Sequence, residues 1–357
     1  MYRVSKDKTR IVVTGSHGKT TTTGMIAHIL HHCAEKADRM IGASIGELEP
    51  VVISDADVIV LEGDEYLSSP LDSRPKFLHY HPDITIITGI AWDHMNVFPT
   101  YESYIAPFRQ LIQSLERGNT LIYCAEDDEL VKLVKDVSPA CTCVPYDAMP
   151  YVVKDDQVSV KSSEGKEYAL KIFGKHNMQN LRAAFLACQN LGLDEDKILT
   201  AIQSFGGANK RLQLLSKSED VIAYTDFAHA PSKVKATVDA VREMLPNADL
   251  VACLELHTFS SLNPGFLPLY KDSLKGADHK VVYFSPHTLE IKKLPDLSPD
   301  QLADHFNAAD LKVVQSGDDL IKVVQGLKVR KPLVMLWMSS GRFDGVEIKK
   351  VLPLEMN

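Results

Sequence analysis

The sequence predicts an α/β protein: a mostly parallel, doubly wound sheet followed by a smaller α/β unit. Three observations carry that prediction. Residues 9–32 read as an apolar strand, a glycine-rich loop and a helix. Apolar runs then alternate with helical stretches through the first two hundred residues, and a fresh strand and helix series begins after the glycine pair Gly206-Gly207. Strands that are apolar throughout, not only at every second residue, are covered on both faces, which is the condition of a parallel sheet flanked by helices.

The elements follow in order. Thr9 to Thr14 is a short apolar strand, and Thr20 to His32 carries Met25, Ile26, Ile29 and Leu30 at helical spacing. Further strands are expected at Val58–Leu61, Ile84–Thr88 and Thr120–Tyr123, with a helix over Tyr101–Leu115. Val152 to Ile172 alternates polar and apolar residues around "SSEGKE", which predicts an antiparallel hairpin appended to the sheet. A helix over Leu181–Leu191 follows. The glycine pair places the domain boundary near residue 208, giving units 1–208 and 209–357. In the second unit, strands are expected at Val221–Thr225, Leu250–Leu254, Lys280–Phe284, Lys312–Val314 and Pro332–Met338, with a helix over Ser232–Met244.

Composition narrows the function classes. With 357 residues, 45% hydrophobic and 24% charged, the chain has the make-up of a globular protein of two domains. A formal net charge of -8 and the lack of a lysine/arginine run argue against a generic electrostatic grip on nucleic acid or an anionic membrane. The start "MYRVSKDKTR" is too charged for a signal peptide and no apolar run is long enough to span a bilayer, so a cytoplasmic location is expected. The six cysteines include no CxxC pair and read as reduced thiols; Cys141 and Cys143 lack the following His or Cys of a metal finger.

The residues that carry chemistry begin with "VVTGSHGKTTTT", Val12 to Thr23. It has the Gly-Lys-Thr ending of a phosphate-binding loop, but Gly15 and Gly18 are closer together than in the common Walker A spacing. A glycine turn between strand and helix lets backbone N–H groups converge on phosphate oxygens with the positive helix end behind them. Lys19 adds a full charge, and the Thr20 hydroxyl suits Mg²⁺. The next cluster, "VIVLEGDEY", puts Glu62, Asp64 and Glu65 at a strand end, where ligands of doubly wound sheets bind and where a hard cation would find oxygen donors. Taken alone, such a cluster is more commonly a solvated acidic loop. "TGIAWDHMNVFPT" places Asp93 and His94 at another strand mouth, as metal ligands or as structural residues. "FGKHNMQNLRAAF" sets His176, Asn177 and Asn180 at a helix entrance, suited to adenine recognition or to capping.

Taken together, "TGSHGKTTTT", "LEGDE", "WDHMNVFP", "GKHNMQN", "KRLQ" and "YTDFAHAP" resemble, in order and approximate spacing, the Mur ligases, the ATP-dependent amide-bond formers of peptidoglycan synthesis. The resemblance covers essentially residues 10–357, and the tight glycine spacing is that family's form of the loop. It implies a central P-loop ATPase domain followed by a Rossmann-like C-terminal domain that binds the amino acid or peptide. It further implies ATP and Mg²⁺ as cofactors. Gly15, Ser16, His17, Gly18, Lys19, Thr20 and Thr21 would hold the phosphates, Thr20 with Glu62 one Mg²⁺, and His94 a second. Asn177 and Asn180, with His176, would face the adenine. Arg211, Asp226 and His229 would reach the nucleotide after domain closure. Lys19, Glu62 and His94 would be the catalytic groups.

Within the family, "DEY", "SRPKFLHYHPD", "TDFAHAPS" and "MSSGRFDGV" look most like the murein-recycling branch. The implied substrates are UDP-N-acetylmuramate and the tripeptide L-alanyl-γ-D-glutamyl-meso-diaminopimelate; L-alanine is the alternative acceptor. His257, Ser260 and Arg342, in two loops that follow apolar strands, are the candidates for peptide binding, with plain surface loops the alternative. Three departures matter. The family carries an N-terminal UDP-binding domain ahead of the loop, whereas here the loop starts at residue 14, so a fragment, a separate UDP-binding protein, a substrate without UDP or a nucleotide-binding remnant is expected, the fragment being preferred. No lysine lies between Asn96 and Arg117 for carbamylation, and the second histidine of the "DFAHHP" region is Ala230.

Overall fold

The computed structural model describes residues 2–46, 48–69, 71–308 and 310–356. Two compact units are formed, 1–209 and 210–357.

The first unit contains α1 (Tyr2–Ser5), β1 (Thr9–Thr14), α2 (Lys19–His32), β2 (Ala37–Met40), β3 (Val51–Val52), β4 (Val58–Glu62), β5 (Leu67–Ser69), β6 (Asp72–Pro75), β7 (Ile84–Ile87), α3 (Tyr101–Gln113), β8 (Thr120–Cys124), α4 (Asp128–Val137), β9 (Thr142–Tyr146), β10 (Tyr151–Lys154), β11 (Gln157–Lys161), β12 (Glu167–Leu170), α5 (Lys175–Asn190) and α6 (Glu195–Ile202). Its main sheet runs β3-β2-β4-β1-β7-β8-β9, and every pair except β2–β3 is parallel. From β1 the chain crosses to β2 and β3, returns to β4 beside β1, and then passes to β7, β8 and β9 on the other side, so the connections part on either side of β1. There the C-terminal ends of β4, β1 and β7 lie side by side, with Val13 opposite Glu62 and Thr14 opposite Ile87. A crevice outside such a switch point is where doubly wound sheets bind ligands.

Side-chain burial explains the strands and helices. Ile11, Val12, Val13, Ile59, Val60, Leu61, Ile86 and Ile87 are fully buried, each removing apolar surface worth roughly 2 kcal/mol. Helix α2 forms in spite of four successive β-branched threonines, which have weak helix propensity. The tertiary structure uses their hydroxyls: Thr23 Oγ1 donates to Lys19 O at 2.8 Å, Thr22 Oγ1 to Asn180 Oδ1 at 3.2 Å and Thr20 Oγ1 to Glu62 Oε1 at 2.8 Å. Caps delimit the other helices: Thr100 with Ser103 forms a capping box on α3, Asp127 accepts from Leu130 N on α4 and Asp194 from Lys197 N on α6.

Two expectations are corrected. The alternating segment around "SSEGKE" is not a hairpin appended to the main sheet; β10, β11 and β12 form their own three-stranded antiparallel sheet. Alternation reports one covered face and is silent on which sheet supplies the neighbours. Helix α5 starts at Lys175, six residues before the expected Leu181, because its first turns bury the polar Asn177 and Asn180, which hide the apolar periodicity. Strands β2, β3 and β9 and helix α4 also have no counterpart among the expected elements. All six cysteines are free thiols.

The second unit contains β13 (Gln213–Lys217), β14 (Val221–Asp226), α7 (Pro231–Met244), β15 (Asp249–Leu256), β16 (His279–Phe284), α8 (Pro286–Lys292), α9 (Pro299–Phe306), β17 (Lys312–Val314), α10 (Gly317–Gln325), β18 (Lys328–Val329), β19 (Leu333–Met338) and β20 (Glu355–Met356). Its six-stranded sheet runs β13-β14-β19-β15-β16-β17, parallel apart from β13. Val251, Cys253, Val281, Leu333, Met335, Trp337 and Phe343 form a buried cluster against α10. Among the described residues no helix is long and apolar enough to cross a membrane.

Candidate active site

The phosphate-loop candidate follows β1 directly. Gly15 takes φ 124° and Gly18 φ 78°, conformations that side chains rarely adopt. Space is equally restrictive: a Cβ on Gly15 would overlap Thr88 Oγ1, and one on Gly18 would overlap Asn180 Oδ1. The loop is fastened to the end of β7, since Ser16 N donates to Gly89 O at 2.9 Å and Thr88 Oγ1 donates to Thr14 O at 3.1 Å and to His17 O. Gly18 caps α2 without a side chain, so the first-turn N–H groups around Lys19, Thr20 and Thr21 face the loop as an anion cradle.

Lys19 does not extend into solvent. Its Nζ donates to Gly15 O at 2.6 Å and to Glu65 Oε2 at 2.9 Å. Burial opposes its charge, but the carboxylates of Glu65, Asp64 and Glu62 outweigh that and hold its pKa above the ordinary lysine value.

The three carboxylates of "EGDE" part company. Glu62 accepts from Thr20 Oγ1 at 2.8 Å and from Gly42 N at 2.6 Å. Asp64 turns outward to Lys76 Nζ at 3.0 Å. Glu65 is fully buried, and its second oxygen, Oε1, has no hydrogen-bond partner. That oxygen lies 3.5 Å from His94 Nε2, which in turn is 3.7 Å from Asp93 Oδ2. His94 takes φ 59°, its N–H donates to Asp93 Oδ1 at 2.8 Å, and the Tyr66 hydroxyl stands 2.6 Å from its Nδ1. Burial and then the charges of Glu65, Asp93 and Asp64 push the Tyr66 phenol well above its usual range.

The donor set fits a divalent cation beside phosphate. Two adjacent ligands of octahedral Mg²⁺ stand about 3 Å apart, and Thr20 Oγ1 and Glu62 Oε1 are 2.8 Å apart. Among the described residues no group of three or more His, Cys, Asp or Glu side chains encloses a metal position, so the remaining ligands would have to be phosphate or water oxygens.

His176, Asn177 and Asn180 lie in the first turns of α5, and Asn180 reaches the loop. Asn180 packs against Gly18 and accepts from Thr22, while Asn177 Nδ2 donates to Phe173 O at 2.8 Å. Burial lowers the His176 pKa to about 4, and its Nδ1 is buried without a partner.

Sequence reading singled out Lys19, Thr20, Glu62 and His94, and the structure brings them together. It adds Glu65 and Thr88. Glu65 was visible as part of the acidic cluster but not distinguishable from Asp64; Thr88 gave no signal.

Within the second unit, Asp226 is buried and accepts from Leu212 N and from Ala228 N at 2.6 Å, which ties the residue before β13 to the turn after β14; burial raises its pKa in spite of the Arg211 charge. Arg211 lies over the Phe227 ring at 4.7 Å, and His229 Nδ1 donates to Phe227 O at 2.7 Å. His257 Nδ1 is 3.7 Å from Glu255 Oε1; Ser260 is buried and Arg342 exposed. Glu255, which the sequence reading did not select, is the buried member of this group and accepts from Ser339 Oγ and, at 2.8 Å, from Phe343 N.

Comparison with known proteins gives a consistent picture. The model of the Mur ligase middle domain matches residues 13–188. The UDP-N-acetylmuramate–L-alanine ligase of Chlorobium phaeobacteroides is 32% identical over 346 residues, which are 93% of this chain and 72% of that protein. Among solved structures, a murein peptide ligase from Psychrobacter arcticus superposes with a TM-score of 0.64 at 22% identity, over 96% of this chain and 77% of that one. A UDP-N-acetylmuramate–alanine ligase from Thermotoga maritima gives 0.68 at 21%, over 95% and 73%. At these identities the solved structures share the fold.

Proposed function

The chain belongs to the Mur ligase family, whose members are ATP-dependent amide-bond-forming ligases, and on that premise we propose that it joins the lactyl carboxylate of UDP-N-acetylmuramate to an amine. The observation that supports this most is the meeting of Lys19, Thr20, Glu62, Glu65 and His94 at the ends of three adjacent parallel strands. In this reading the loop amides and Lys19 hold the β- and γ-phosphates, and Thr20 and Glu62 hold Mg²⁺, which supplies charge neutralisation. The substrate carboxylate attacks the γ-phosphorus, ADP leaves, and the acceptor amine then displaces inorganic phosphate from the acyl phosphate. Positioning and charge compensation supply most of the rate in such transfers.

For the acceptor, L-alanine has the support of the relatives, since the Chlorobium protein and others at 24–30% identity carry that specificity in their names. The tripeptide reading rests on "DEY", "SRPKFLHYHPD", "TDFAHAPS" and "MSSGRFDGV". His257, Ser260 and Arg342 remain proposed acceptor contacts. An ADP-release assay with UDP-N-acetylmuramate and either acceptor, run on the chain alone and with a UDP-binding domain supplied, separates these readings. Alanine-dependent ADP release supports the first and tripeptide-dependent release the second. No acceptor-dependent release under any condition would refute the ligase reading of this chain.

A further inference from the structure

We propose that Glu65 is a positioning residue that latches Lys19 in the nucleotide-free loop, coupling phosphate binding to the arrival of a divalent cation. The proposal rests on the nucleotide-binding reading above. It starts from where Lys19 is: bent back onto Gly15 O and Glu65 Oε2, with its side chain 12% exposed and that of Glu65 at 0%. A lysine in that position satisfies the loop's own carbonyl and a buried carboxylate, and it must leave at least one of them to grip a phosphate.

The second observation is the other oxygen of the same carboxylate. Glu65 Oε1 is buried without a hydrogen bond, and His94 Nε2 stands 3.5 Å from it. Native structures seldom leave such an atom unpaired, and a buried carboxylate stripped of its partner is strongly destabilising. If Lys19 moves to phosphate, Glu65 therefore stands uncompensated beside Glu62, Asp64 and Asp93 unless a cation replaces the ammonium. Phosphate alone adds more negative charge to this group; phosphate accompanied by Mg²⁺ brings the replacement with it. The latch thus disfavours metal-free nucleotide and admits the metal complex.

Direct binding to the full chain tests this without catalysis. ADP affinity is measured by calorimetry in EDTA and in Mg²⁺, for the wild type and for Glu65→Gln. The wild type is expected to bind ADP far better with Mg²⁺. Glu65→Gln is expected to bind metal-free ADP on the order of tenfold more tightly than wild type, within the usual range of coupling between sites, and to gain less from Mg²⁺. Mere structural damage would weaken binding in both conditions, so metal-free affinity that is unchanged or weaker overturns the proposal.

Acetylation of Lys19 by acetic anhydride in the empty protein, followed by mass spectrometry, gives a second readout. Its rate should rise in Glu65→Gln; an equal rate means no latch. If Glu65→Gln does not fold, Glu65→Asp, which keeps the charge but shortens the side chain, should shift metal-free affinity in the same direction by a smaller factor, and no shift overturns the idea. Failure of the wild type itself to bind ADP in either condition would instead remove the nucleotide reading and this proposal together.

Discussion

Gly15→Ala is the sharpest test of the loop geometry. Gly15 has φ 124°, far from the left-handed well near +57°, so an alanine there carries backbone strain of about 1–3 kcal/mol. Its methyl group would also overlap Thr88 Oγ1 and lie 2.8 Å from Gly89 O and 2.9 Å from Thr88 N. The last two are backbone atoms at the end of β7, which cannot rotate away, and overpacking of this kind adds about 1–3 kcal/mol. The control is Gly165→Ala, where φ is 84° but nothing lies within 4 Å of the new methyl, so strain of about 1 kcal/mol stands alone. The expected difference between the two variants is about 3 kcal/mol. For a unit of this size that is a Tm lower by about 6–12 °C. Thermal and urea melts of the full chain measure it, and ADP titration should show affinity lost only in Gly15→Ala. Equal melting of the two variants, with ADP binding intact in both, would refute the argument that contact at Thr88 and Gly89 demands glycine.

Lys19→Ala is expected to abolish nucleotide binding and also to destabilise the first unit by about 3 kcal/mol, because it strands the buried Glu65 carboxylate. Adding Glu65→Gln should restore part of that stability in urea melts, and no restoration would discount the pair. Burial of His176, and burial together with the His32 charge at His28, lower both pKa values to about 4 from 6.5. The unfolded chain then binds more protons between those pH values, so stability should fall as pH drops from about 6.5 towards 4, by up to about 1.4 kcal/mol per pH unit for a fully buried ring. Melts at pH 7 and pH 5 check this, and a His176→Gln variant with an undiminished pH slope would exclude His176 as a source. Asp226→Ala should destabilise the second unit by about 2 kcal/mol by orphaning Leu212 N and Ala228 N, whereas Arg211→Ala should cost less than about 1 kcal/mol. Equal losses in denaturant melts would contradict this structural role for the carboxylate.

Local order along the chain was enough to define the strand, glycine loop and helix of residues 9–32, the apolar strands on either side and the residue types of the site. Those features are readable because each is carried by neighbouring residues: two-sided burial makes a strand continuously apolar, and a turn with positive φ calls for glycine. The destinations of individual side chains were not readable in this way. Glu62, Asp64 and Glu65 are close neighbours of one type, yet one meets Thr20, one meets Lys76 at the surface and one is sealed against Lys19. Asn177 and Asn180 suggest base recognition or capping, and the sequence does not tell that Asn177 Nδ2 meets Phe173 O while Asn180 Oδ1 meets Thr22. Thr22 and Asn180 stand 158 positions apart. Tertiary structure alone decided these outcomes, because beyond a strand's end no periodicity governs which way a side chain points. Its partner is then chosen by whichever distant segment the sheet order brings alongside.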